Sequence, residues 1–130
     1  RNVPELRRNY ALKATFAGVL SDQQAIQDKL NESRHHRNTT QPKAASAGCT
    51  FKNPAVCGAG QLIDEMGLKE TGVGKAEVSP EHGNFIVNRG KASAFDVLSL
   101  IEKIKAKAKE DRGVVLETEI QILGEDEVVF

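Results

Sequence analysis

Apolar positions along the chain recur with a period that changes several times, and each change marks an element. Residues 1 to 9 are Arg-rich and irregular. From Tyr10 the pattern alternates, with Leu12, Ala14 and Phe16 on one side, which predicts a strand over 10–17. Ser21 followed by Gln24 has the spacing of a capping box, and Ile26 and Leu30 then mark one side of a weakly amphipathic helix running toward His35. Arg34-His35-His36-Arg37 closes that helix with positive charge, which suits its partial negative end; the cluster reads as an anion contact or as a solvated basic helix end. From Asn38 to Ser46 no large apolar residue occurs, which predicts a linker and a domain boundary.

After the boundary the periods are clearer. Ala59, Leu62, Ile63 and Met66 recur at helical spacing and predict a short core-facing helix, with Gly67 where a left-handed cap is wanted. Ala76-Glu77-Val78 and Phe85-Ile86-Val87 predict two short strands joined through 79–84. Ser93 with Asp96 opens a long helix whose apolar face is Val97, Leu98, Ile101, Ile104 and Ala108, and Gly113 ends it. Its lysines at 103, 105, 107 and 109 wrap the polar side as a solvated face. From Val114 to Leu123 the pattern alternates again, with Leu116, Thr118, Ile120 and Ile122 on one side and Glu117, Glu119 and Gln121 on the other, which predicts a last strand. The order of elements predicts an α+β fold, a small mixed or antiparallel sheet packed with about three helices.

Composition narrows this picture. A chain of 130 residues, 39% of them hydrophobic, can build one domain with a core and an appendage. Eighteen basic residues balance eighteen acidic ones, so no global field recruits nucleic acid or an anionic membrane, and any anion site is local. Cys49 and Cys57 are too few for a disulfide framework and lack the neighbours of a metal site, so reduced thiols in a cytoplasmic, soluble protein are expected, with no metal. No signal-peptide pattern is present, and a start at Arg1 is expected of a fragment or a processed product.

Two places carry chemistry. In Ala47-Gly48-Cys49-Thr50-Phe51-Lys52-Asn53-Pro54, expected to be a compact loop, a thiol, an ammonium and a carboxamide fall within five residues. Glu117 and Glu119 share a strand face about 7 Å apart, where they raise one another's pKa if the face lines a cleft and are ordinary surface acids if it is in water. Gly58 and Gly60 expose backbone N–H groups at a helix start, a weak signal for a phosphate or carboxylate.

That loop, with Ala59-Gly60-Gln61-Leu62-Ile63-Asp64, Gly67-Leu68-Lys69, Val78-Ser79, His82-Gly83-Asn84-Phe85-Ile86-Val87-Asn88 and Leu116-Glu117-Thr118-Glu119, resembles in order and spacing the C-terminal, substrate-binding domain of the MurB family, UDP-N-acetylenolpyruvoylglucosamine reductase. The resemblance implies that residues 38–130 are this domain and that 1–37 are the terminal strand and helix of a preceding FAD-binding domain. It implies a bacterial cytoplasmic oxidoreductase of peptidoglycan synthesis, with FAD and NADPH as cofactors, whose substrate is UDP-N-acetylglucosamine enolpyruvate. No nucleic acid, membrane or obligatory protein partner is implied. Cys49 then stands where relatives usually carry a serine that delivers a proton, and a thiol, with an ordinary pKa of about 8.5, is the stronger acid. Glu119 matches the second catalytic carboxylate, which needs a raised pKa to donate a hydrogen bond to an enolate-like intermediate. Asn53, Lys69 and His82 match substrate-binding positions, with Lys69 near the diphosphate. Glu70 and Lys75 replace glycines of the pattern, so the backbone there either avoids positive φ or is strained. The flavin-binding residues and a catalytic arginine of the family fall before Arg1, so this chain alone is expected neither to hold FAD tightly nor to turn over. The alternative is a UDP-sugar-binding module or pseudoenzyme without redox activity.

Overall fold

A computed structural model describes residues 9–124 and divides the chain at Ser33 and Arg34 into two compact units. The first contains the predicted strand over 10–17, and no strand forms there. Tyr10, Leu12 and Phe16 are almost fully exposed, and none pairs with a neighbouring strand. Alternation makes a strand only when a second edge accepts its N–H and C=O groups, and among the described residues no strand is assigned within 10–17.

Helix α1 spans Gln23–Thr40 and buries no residue. Its start is one residue later than predicted. The Asp22 carboxylate, not Ser21, accepts the N–H groups of Gln24 and Ala25 at 2.9 and 3.2 Å, an ionised cap in place of a hydroxyl. Its end is also later, because Thr39 and Thr40 turn their hydroxyls back onto the carbonyls of His35 and His36, so Asn38–Thr40 finish the helix instead of beginning the linker.

Beyond it, strands β1 (Ser46–Cys49), β2 (Gly72–Val73), β3 (Ala76–Val78) and β4 (Phe85–Asn88) form one antiparallel sheet in the order β1-β4-β3-β2. With helices α2 (Ala59–Glu65) and α3 (Ala94–Arg112) this is the α+β arrangement expected. The predicted faces are the buried ones. Ala59, Leu62, Ile63 and Met66 meet Ile101, Ile104 and Ala108 in a core closed by Phe51, Val78 and Leu116. Leu100 joins them, while Val97 and Leu98 are only half-buried. Burying such a side chain contributes about 1.5–3 kcal/mol, so this seam dominates the fold.

Local signals at α3 work as the sequence predicts. Ser93 and Asp96 form a reciprocal capping box, and Gly113 ends the helix at φ 66°. Two predictions near the chemistry are corrected. Cys49 lies not in a loop but at the end of β1, where the register slips between Ser46 and Cys49. The last strand over 114–123 is an extended segment with one bridge, Thr118 to Phe51, because only 117–119 reach a partner. Its alternation still holds: Leu116 is buried while Glu117, Glu119 and Gln121 are exposed.

Candidate functional site

The slip in β1 releases Thr50–Lys52 from β4, and those residues find new partners on both sides. On one side Asn84 takes the Thr50 N–H on its main-chain carbonyl at 2.8 Å. Its side chain accepts the Phe51 N–H and donates to the Phe51 carbonyl, both at 2.8 Å. On the other side the C-terminal segment runs antiparallel: the Lys52 N–H donates to the Glu117 carbonyl at 2.9 Å and the Glu119 N–H to the Thr50 carbonyl at 2.8 Å. Cys49 and Glu119, seventy residues apart in sequence, therefore stand on adjacent backbone segments, the Glu119 N–H being taken by the carbonyl of Thr50, the residue next to Cys49. Both are exposed.

Glu117 has its own partner in Lys52. The Lys52 ammonium lies 2.9 Å from its carboxylate, and that hydrogen bond, with the charge behind it, holds the Glu117 carboxyl below the usual range. The bland reading of Glu117 as a surface acid fits this exposed pair. An open groove of about 350 Å³ adjoins this edge, lined mainly by Ala45, Ala47, Ile86, Val87, Val97 and Ile120 with Thr50 at its floor.

The substrate-binding candidates fall into two places. Asn53 and His82 flank the first turn of α2. The Asn53 Oδ1 accepts the Ala59 N–H at 3.0 Å, one of the orphan donors of the helix start. Only the carbonyl end of the carboxamide can do this, so the bond fixes which way the amide faces. His82 accepts the Asn84 N–H on Nδ1 at 3.1 Å, which leaves Nε2 as the ring nitrogen that can donate, and it packs edge-on against Phe85. A Cβ at Gly60 would lie 2.7 Å from this imidazole, so the second glycine of the helix start makes room for His82 and not for a phosphate. The turn before it is held by buried Ser79, whose hydroxyl takes the N–H groups of Glu81 and His82 and donates to the Glu81 carboxylate, keeping that carboxyl below its ordinary value.

Lys69 lies elsewhere, beyond the other end of α2, where its ammonium pairs with Asp64 at 2.7 Å. Next to it Glu70 has φ 62°, so of the two possibilities left open at this replaced glycine the structure takes the strained one. Lys75 has no positive φ; Gly74 before it takes the left-handed position of the β2–β3 turn instead. Strand β2, absent from the sequence prediction, is two residues long and exists only because this turn folds back on β3.

Asn84 is the residue the sequence reading passed over. It stands within a quoted motif, but an Asn between Gly83 and Phe85 reads as a turn former. Among the described residues no group of three or more His, Cys, Asp or Glu is placed to hold a metal, and no helix is long and apolar enough to cross a membrane.

Residues 41–123 match the family described as UDP-N-acetylenolpyruvoylglucosamine reductase, C-terminal domain. The chain is 45% identical over 128 residues to a curated UDP-N-acetylenolpyruvoylglucosamine reductase of Clostridium novyi, covering 97% of the chain and 42% of the relative. It is 42% identical over 121 residues to the protein of the same name in Bacillus pumilus, covering 92% and 40%. A crystal structure of the Thermus caldophilus reductase superposes with a TM-score of 0.64 at 47% identity, over 75% of this chain and 34% of that one. The chain thus spans about two fifths of the length of the curated relatives it matches.

Proposed function

The chain belongs to the family of UDP-N-acetylenolpyruvoylglucosamine reductase C-terminal domains, and on that premise we propose that it supplies the proton donor and substrate contacts for reducing UDP-N-acetylglucosamine enolpyruvate to UDP-N-acetylmuramate, a step of peptidoglycan synthesis. The observation that carries this reading is the ladder that sets Glu119 beside the Cys49–Thr50 edge.

The proposed step is a protonation. When hydride reaches the terminal carbon of the enolpyruvyl double bond, carbanion character appears on the carbon that bears the carboxylate. The Cys49 S–H bond breaks as a C–H bond forms at that carbon, and the thiolate left behind recovers its proton from solvent. Glu119, one position across the ladder, stabilises the enolate-like charge before the proton arrives. Its exposure in this chain means that desolvation of its carboxyl comes from the substrate and the rest of the protein. Asn53 offers its NH₂ and His82 its Nε2–H as donors to the sugar nucleotide, and Lys69 brings a positive charge toward a phosphate at the expense of its pairing with Asp64.

FAD, reduced by NADPH, is the hydride source that the family resemblance implies. The described residues do not fit a dinucleotide on their own: the groove beside Cys49 is largely apolar and lined by no cationic side chain, and His82 fills the space at Gly60. No flavin-holding role is therefore given to these residues.

The test uses the full-length protein containing this chain. Cys49→Ala is expected to leave reduction of the bound flavin by NADPH intact and to slow its reoxidation by the enolpyruvyl substrate by about a hundredfold or more, the range for loss of a general acid. Reoxidation at the parent rate would overturn the assignment.

A further inference from the structure

We infer that Asn84 is the positioning residue of this edge, fixing Thr50 and Phe51 so that Cys49 and Glu119 face a common substrate; the inference rests on the proposed roles of those two residues. Asn84 is 3% exposed, and each of its four polar groups is engaged. Its N–H goes to His82 Nδ1, its carbonyl to the Thr50 N–H, its Oδ1 to the Phe51 N–H and its Nδ2 to the Phe51 carbonyl. The side chain is buried and turned onto the Phe51 main chain, which favours positioning over binding.

The chemistry selects asparagine. Where β1 slips out of register, the Phe51 main chain loses the ladder partner it would otherwise have. A carboxamide presents one acceptor and one donor at the spacing of a peptide group, so it replaces that partner with matched polarity. Aspartate would set a second acceptor against the Phe51 carbonyl, alanine would leave two buried main-chain groups unpaired, and glutamine is a methylene too long. The Thr50–Phe51 peptide gives its N–H to the Asn84 side chain and takes the Glu119 N–H on its carbonyl, so one buried side chain holds the peptide unit that joins the residue after Cys49 to the Glu119 segment. His82 is tied to the same residue, so a substrate contact and the proton donor share one support.

The experiment uses the full-length protein with Asn84→Asp, which keeps size and one acceptor, and Asn84→Ser as a second variant should the first not fold. Reoxidation of the flavin by substrate is expected to slow about thirtyfold or more, in line with the effect of misplacement by a fraction of an ångström to an ångström, while reduction by NADPH stays within about twofold. In a Cys49→Ala background the same substitution is expected to add less than about a factor of two, because residues that act as one unit are not additive. Equal slowing of both half-reactions, or effects that multiply, would reduce Asn84 to a contributor to stability and overturn the inference. If Cys49→Ala itself has no effect, the functional reading fails. The clamp is then decided by hydrogen exchange: the Glu119 amide is expected to exchange about tenfold faster in Asn84→Asp, and unchanged exchange would overturn it.

Discussion

The backbone at Cys49–Lys52 and the backbone from Lys69 to Lys75 both carry residues expected at the site, and they are held by different physics. At Cys49–Lys52 the constraint is a buried carboxamide and main-chain hydrogen bonds on two sides. From Lys69 onward it is an ion pair whose side chains are 30% and 53% exposed, followed by a glutamate in the left-handed region. A buried, fully paired amide fixes atoms to a fraction of an ångström, whereas an exposed pair is screened by water and exchanges partners easily. The first arrangement suits the proposed delivery of a proton to one carbon. The second suits the proposed role of Lys69, a flexible cation that would leave Asp64 to meet a phosphate.

Substitutions can break or sharpen this contrast. The largest effect is expected at Asn84→Ala, which strands the buried N–H and C=O of Phe51 and should lower unfolding free energy by about 3 kcal/mol in chemical denaturation. A loss below about 1 kcal/mol would mean that the clamp is no firmer than the Lys69 end. Next is Gly74→Ala, because the turn has one rigid point within the looser region. Gly74 has φ 56°, and a Cβ there would press on the Asp96 carboxylate, so a loss of about 2 kcal/mol is expected. Glu70→Gly should go the other way, stabilising by about 1 kcal/mol as the left-handed strain is relieved. No gain would show that Glu70 is compensated by a contact of its own. Lys69→Met is expected to change stability by less than about 1 kcal/mol, since the pair with Asp64 is exposed, while weakening capture of a UDP-sugar by the full-length protein.

A pH dependence belongs to the same turn. The Ser93 N–H, and after it the Lys75 N–H, hold the Asp96 carboxyl below its ordinary value. A lowered folded-state value means that the stabilisation is present above the unfolded value and is lost as pH falls through the folded one. Acid unfolding of Asp96→Asn should therefore show a shallower limb than the parent, measured by thermal melts at descending pH.

Helix α3 was legible because its signals are local: a capping pair, an apolar face and a stopping glycine lie within twenty-one residues. The segment 114–123 was half legible. Its in-and-out pattern is right, but pairing depends on where a distant strand ends, and only Phe51 and its neighbours are free to meet it. Residues 10–17 carry the same alternation, yet no strand is assigned to them among the described residues, so periodicity alone overstates strands. The proximity of Cys49 and Glu119 came to light from family resemblance, not spacing, because no local rule joins residues seventy positions apart. Asn84 stayed hidden because its role is to imitate a main-chain partner for a segment thirty-three residues away.

The account stands most directly on the nature of the proton donor, and the pH profile of the substrate-driven half-reaction measures it. In the full-length protein the rate should fall at alkaline pH as the Cys49 thiol loses its proton, and Cys49→Ser should keep turnover while removing that limb, since an unperturbed hydroxyl holds its proton far above the thiol range of about 8.5. An alkaline limb unchanged in Cys49→Ser would contradict the assignment of Cys49 as the donor.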